Sequence, residues 1–99
     1  MKITLVCYAG MSTGLMKLKL EQEAAQAGRD DVVIDAIAIA EAENDLGDAD
    51  IFLLGPQVRY AMDELTQKAG GRPVLQISTP DFGMMRADNV WKQIEAALQ

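Results

Sequence analysis

Ninety-nine residues with a formal net charge of −6 are enough for one domain, residues 1–99, with one aliphatic core. The single cysteine rules out an internal disulfide, and the absence of histidine removes Ser-His and Cys-His dyads and most metal sites, so neither metal nor cofactor is expected. The nine lysines and arginines are scattered without a dense patch, which argues against nucleic acid or an anionic membrane as partner.

Ile3 to Val6 is a continuous β-branched and aliphatic run, the pattern of a strand covered on both faces. The turn residues Gly10, Ser12 and Thr13 follow, and Leu15 to Ala27 has helix-forming composition. Met11, Leu15, Leu18 and Ala25 are taken as its apolar face and Gly28 as its C-cap. Val32 to Ile37 reads as a second strand, and Ala40 to Asp50 as either a short helix or an acidic loop. Asp50 to Leu54 is a third strand, ended by Gly55-Pro56. Val58, Met62, Leu65 and Ala69 then fall on one face of a helix that Gly70-Gly71 stops. Val74 to Ile77 makes a fourth strand, and Ser78 to Gly83 a loop. A last helix, capped by Asp88, is expected to turn Val90, Ile94 and Leu98 inward.

Strand and helix alternate, so the expected architecture is α/β, a parallel sheet with helices on both faces. Ligands gather beyond the carboxyl ends of such strands. The segments leaving strand ends there are 7–13, 55–57 and 78–83, and a central first strand would bring them together around Cys7. No apolar run reaches the roughly 18 residues of a membrane span. Met1 to Cys7 is too short for a signal peptide. The expected location is cytoplasmic, where a lone thiol stays reduced.

Cys7-Tyr8-Ala9-Gly10-Met11-Ser12-Thr13 joins a strand to a helix start. Unpaired N–H groups and the positive end of the helix dipole together favour an anion there. The dipole alone contributes at most about 2 kcal/mol, so direct N–H donors from the loop carry the rest. A buried filler cysteine is the plainer alternative, since this residue type is among the most buried. The Gly-x-Ser-Thr sequel and the strand-to-helix placement favour the functional reading. Gly10 to Gly14 also satisfies the G-x-S-x-G pattern of serine hydrolases, but no histidine could act as base. A cysteine phosphatase loop needs arginine six residues after the cysteine, where this chain has Thr13.

These residues resemble the lactose/cellobiose-type IIB proteins of the bacterial phosphoenolpyruvate:sugar phosphotransferase system. Cys7 to Thr13 matches one motif, and Ala49-Asp50-Ile51-Phe52-Leu53-Leu54-Gly55-Pro56-Gln57 a second, with length and element order in agreement. The resemblance implies a four-stranded parallel sheet of order 2-1-3-4, like the small tyrosine phosphatases without their arginine. It implies that Cys7 accepts a phosphoryl group from a histidine of a IIA protein and passes it to a sugar crossing through the membrane IIC component. That sugar would be a disaccharide of the cellobiose or lactose type, and the carrier would lie against the inner membrane through IIC. Backbone N–H groups of Tyr8, Ala9, Gly10, Met11, Ser12 and Thr13 would surround the phosphoryl oxygens, and Gly55, Pro56 and Gln57 would border them.

The family usually has serine where this chain has Gly14, which removes a hydroxyl but no backbone donor. Asp81, in the loop after the fourth strand, is a further border residue if it reaches the cysteine; the plainer role is a solvated turn former. Met11, Met16, Met84 and Met85 are candidates for an apolar docking rim, with core packing the favoured role for the helical pair and an equal one for Met84 and Met85. Arg59 and Arg86 are the basic residues nearest the loop face, and a surface ion pair is the simpler role for each. Two other functions stay open: a low-molecular-weight phosphatase or arsenate-reductase-like enzyme, and a non-catalytic regulatory module of the same fold.

Overall fold

A computed structural model describes residues 1–8 and 11–98, with only the backbone of Met11, Ser12 and Thr13. The chain runs β1 (Lys2–Cys7), α1 (Met11–Gln26), β2 (Val33–Ala38), α2 (Ile39–Asn44) and β3 (Ile51–Leu54). A 3₁₀ segment (Pro56–Ala61) follows, then α3 (Met62–Ala69), β4 (Val74–Gln76), α4 (Thr79–Gly83) and α5 (Ala87–Ala97). The strands form one parallel sheet of order β2-β1-β3-β4, the expected architecture.

β1 and β3 are central, and their side chains alternate between two apolar layers, as the two-residue period of a strand requires. Ile3, Leu5, Ile51 and Leu53 pack with Met16, Leu20, Val90 and Ile94 from α1 and α5. Val6, Phe52 and Leu54 face the other way, onto Ala42, Val58 and Leu65 of α2, the 3₁₀ segment and α3. Helices therefore cover both faces, which explains why the central strands do not alternate apolar with exposed polar residues. β2 is an edge strand and buries only Ile34 fully. It starts at Val33 rather than Val32 and ends at Ala38.

Several expectations are corrected. The inward face of α1 is Met16, Leu20 and Ala24, while Leu15, Leu18 and Ala25 point to solvent. Met16 is thus a core residue and no part of a rim; the side chain of Met11 lies outside the described residues. The helix starts at Met11, so Ser12 and Thr13 lie within its first turn rather than at its cap. Gly28 does close it: at φ +74° its N–H donates to the Ala25 carbonyl while that of Arg29 reaches Ala24, a Schellman ending.

The ambiguous stretch after β2 is both things in turn, helix through Asn44 and then a loop holding Leu46 and Ala49 in the core. The helix expected over Val58 to Ala69 is broken in two, because Pro56 opens a 3₁₀ turn and Val58 leaves helical geometry. Val58, Leu65 and Ala69 are nevertheless buried on one side, with Met62 half-buried.

Residues 78–83 are not a loop. Ser78 caps α4, its Oγ accepting the Asp81 N–H at 3.2 Å, with Pro80 in the first turn, where a missing N–H costs nothing. Asp88 does not cap α5. It lies one residue inside the helix, and its carboxylate takes two bonds from Arg86 at 3.1 Å each. Leu98, past the end of α5, is exposed rather than inward.

Candidate functional site

The parallel arrangement brings the carboxyl ends of β1, β3 and β4 to one edge of the sheet. Val6 is level with Leu54, and Leu54 with Gln76, so Cys7 and Gly55 occupy neighbouring positions one residue further on. Cys7 ends β1 at 5% exposure, its thiol at the rim of the core. Tyr8 follows at a bend and is 66% exposed, which marks where the chain leaves the sheet for solvent. Ala9 and Gly10 lie outside the described residues. α1 starts at Met11, four positions after the cysteine, so the first-turn N–H groups of Met11, Ser12 and Thr13 belong to the end of a helix that leaves such donors unpaired.

Gly55 is the neighbour with the least room. A Cβ built on it would stand 3.7 Å from the Cys7 Cβ, 3.6 Å from the Val6 carbonyl oxygen and 2.9 Å from Gln57 Oε1. Its φ of −63° is open to any residue, so close approach is what glycine provides here. The Gly55 N–H donates to the Val6 carbonyl at 2.9 Å, and its own carbonyl accepts from Val58 N–H at 3.1 Å. Pro56 then fixes the first residue of the 3₁₀ turn, and the Gln57 side chain folds back over Gly55. Of the expected border residues, Gly55 lies next to Cys7, and Pro56 and Gln57 follow it in the chain.

Asp81 sits in α4, just past the end of β4. Its carboxylate accepts Asn89 Nδ2 at 3.1 Å, and its carbonyl accepts Arg86 N–H at 2.7 Å, so its contacts run toward α5. Met84 is 70% exposed on the turn after α4, whereas Met85 is half-buried against the α1–α5 layer with φ at +52°. Arg86 makes the expected surface ion pair. Its Asp88 partner holds the guanidinium pKa above its ordinary value, and the same pair holds Asp88 below its own. Arg59 is exposed in the 3₁₀ segment.

The residue that the pattern of the sequence did not single out is Gln76, at the end of β4. Its side-chain Nε2 donates to the carbonyls of Leu54, Gly55 and Ile77 at 3.2, 3.3 and 2.9 Å, tying the third strand to the fourth beside the cysteine. The available signal was one amide inside the apolar run Val74-Leu75-Gln76-Ile77, since a polar side chain there needs partners. Among the described residues, no three of Cys, His, Asp and Glu gather as a metal site would require, and no helix is long and apolar enough to cross a membrane.

Comparison with known proteins bears on the same regions. Residues 2–93 match the family model described as the lactose/cellobiose-specific IIB subunit of the PTS system. Two Lactococcus lactis proteins, the galactose-specific EIIB component of subspecies cremoris and the cellobiose-specific EIIB component of subspecies lactis, are each 41% identical to the chain. Each alignment covers 89% of this chain and 87% of the relative. The oligo-β-mannoside-specific EIIB component of Bacillus subtilis is 33% identical, covering 93% of this chain and 90% of the relative. The structure of the lactose-specific IIB domain from Streptococcus pneumoniae superposes with a TM-score of 0.77 over 100% of this chain and 98% of that one. At 18% identity it speaks to the fold alone. With nearly its whole length matched by the family model and by relatives above 30% identity, the chain belongs to the lactose/cellobiose-specific IIB family of the sugar phosphotransferase system.

Proposed function

We infer that this chain is a phosphoryl carrier, with residues 1–99 as one carrier domain and Cys7 as the residue that bears the phosphoryl group. The observation that carries the reading is the position of Cys7. In a member of the IIB family, its only cysteine ends a central strand, beside Gly55 and four residues before a helix start.

The chemistry follows from that placement. The Cys7 thiolate attacks the phosphorus of a phosphohistidine on a IIA protein; the S–P bond forms as the N–P bond breaks, and the imidazole keeps the electron pair and takes up a proton. In the second transfer, a hydroxyl oxygen of the sugar attacks the same phosphorus. The O–P bond forms, the S–P bond breaks, the hydroxyl proton leaves to solvent and the thiolate is restored. Phosphoryl transfer asks a protein mainly for alignment and for charge stabilisation. The backbone N–H groups of residues 8–13 would meet the phosphoryl oxygens, and Gly55, Pro56 and Gln57 would wall one side. Asp81 would border the phosphoryl group only by leaving Asn89, which holds its carboxylate toward α5.

A nucleophile used as its thiolate needs no resident histidine, because the donor imidazole comes with the partner. The sugar would be a disaccharide of the cellobiose or lactose type, delivered by a membrane IIC partner at the inner membrane. Relatives named for galactose and for cellobiose are equally similar to this chain, so selectivity is expected to reside mainly in IIC.

Intact-mass analysis tests the reading. Wild type is incubated with phosphoenolpyruvate, the general phosphotransferase proteins and a IIA partner, in parallel with Cys7→Ser. One phosphoryl group on wild type, removed when IIC-containing membranes and sugar are added and missing as phosphocysteine from the variant, is the expected result. Turnover of a free phosphate ester by the isolated chain would favour the phosphatase class instead.

A further inference from the structure

We propose that Gln76 is a positioning residue for phosphoryl transfer: it holds the Gly55–Gln57 wall at a fixed distance from Cys7. The inference rests on the carrier reading of Cys7. Its observation is separate: one side-chain amide on β4 engages the carbonyls of both residues that lead from β3 into the wall, Leu54 and Gly55, together with Ile77.

Nε2 has two hydrogens for these three acceptors, so one hydrogen is shared. The amide cannot be turned over, because Oε1 would then face three carbonyl oxygens. Oε1 is buried with no hydrogen-bond partner among the described residues, a cost that the orientation of Nε2 imposes.

None of the three contacts is needed to satisfy the β3 backbone. The Leu54 carbonyl already accepts the Ile77 N–H at 2.9 Å, and that of Gly55 already accepts Val58 N–H at 3.1 Å. What Gln76 adds is restraint. With its N–H on Val6 and its carbonyl on Gln76, Gly55 is held from both sides at the one position where its missing side chain faces Cys7. The brace has its own anchor, for Gln93 Nε2 on α5 donates to the Gln76 carbonyl at 3.0 Å.

A wall held this way does two things for a phosphoryl group on Cys7. It fixes the direction from which a donor or acceptor atom approaches in line. It also limits the entry of water to the S–P bond. Alignment of this kind is sensitive, since displacements near 1 Å can cost up to about a hundredfold in rate.

The test compares wild type, Gln76→Met and Gln76→Leu, with Ile94→Val as a core variant that lowers stability away from the site. Each is phosphorylated through a IIA partner. Three quantities are read: the single-turnover transfer rate, the rate of spontaneous phosphate loss and the ³¹P chemical shift of the phosphocysteine. Thermal melting gives the folded fraction. Gln76→Met keeps the side-chain length, removes the amide and is expected to fold; Gln76→Leu, smaller and likewise without donors, serves the same purpose should Met not be accepted. The expected result is transfer slowed about tenfold, faster phosphate loss and a moved ³¹P line in the Gln76 variants, with Ile94→Val like wild type in all three. Folded Gln76 variants that transfer, retain phosphate and resonate as wild type does would overturn the role of Gln76 while leaving the carrier reading intact. Wild type that takes no phosphoryl group would overturn the carrier reading, and the Gln76 role with it.

Discussion

At the residue scale, Gly55 joins sequence to chemistry most directly. Its torsions are ordinary, so what glycine supplies is the missing Cβ. The closest atom to that Cβ is the far end of Gln57, an exposed side chain that can swing away, while the Cys7 and Val6 contacts are of ordinary van der Waals length. Gly55→Ala should therefore fold with stability within about 1 kcal/mol of wild type. It should nevertheless displace Gln57 and lower the rate of phosphoryl transfer at least about fivefold. Urea unfolding and single-turnover labelling of the same preparation check both halves. A loss of stability matching the loss of transfer would mean that Gly55 serves the fold rather than the site.

The legibility of the site divides at this same scale. The places of Cys7 and Gly55 could be read because each stands at the carboxyl end of an apolar strand, where ligands of a parallel sheet gather, while their roles come from the resemblance. Gln76 interrupts an apolar run, yet an amide in a strand points only to some partner, and its partners are carbonyls of residues 54, 55 and 77. Backbone acceptors carry no mark in a sequence.

At the scale of the element, α1 shows why periodicity can mislead. Leu15 and Leu18 form one apolar stripe and Met16, Leu20 and Ala24 another, and helical spacing accepts both. The sheet selects between them: only the second faces Ile3 and Leu5. Leu20→Ala should cost about 2–5 kcal/mol, as large-to-small changes in a core do. Leu18→Ala should stay within about 0.5 kcal/mol, because its side chain is half in solvent and alanine favours the helix. Chemical denaturation of the two variants separates the stripes, and equal losses would show that Leu18 is covered in the working protein. The break between the 3₁₀ segment and α3 was hidden for a related reason. Val58, Leu65 and Ala69 keep the helical spacing of burial across the kink where Val58 leaves helical torsions. Where backbone chemistry was explicit, as at Gly28, the reading held, since only a residue tolerant of positive φ ends a helix that way.

For the whole molecule, charge sets the response to pH. The sequence contains no histidine, so no side chain with an ordinary pKa of about 6.5 is present. Asp31, Asp48 and Asp88 are held below their ordinary value of 3.8, chiefly by hydrogen bonds from Arg29, Lys2 and Arg86. A carboxylate whose folded pKa lies below its unfolded one stabilises the fold above the unfolded value, and that contribution disappears as pH falls through the folded value. Lys2, Arg29 and Arg86 are raised by the same pairs, so their contributions persist to high pH and vanish only above their own folded values. Thermal stability should therefore change little between about pH 5 and 8 and fall below about pH 4. Each pair is solvent-exposed, so the fall should be shallow and weaker at high salt. Asp48→Asn should blunt it, because Asp48 joins Lys2 of β1 to the loop before β3 through a 2.9 Å contact. Melting curves across pH for wild type and Asp48→Asn decide the matter. An acid fall as steep in the variant would assign the loss to other carboxylates, and a transition between pH 5 and 8 would contradict the assignment of pH response to these surface pairs.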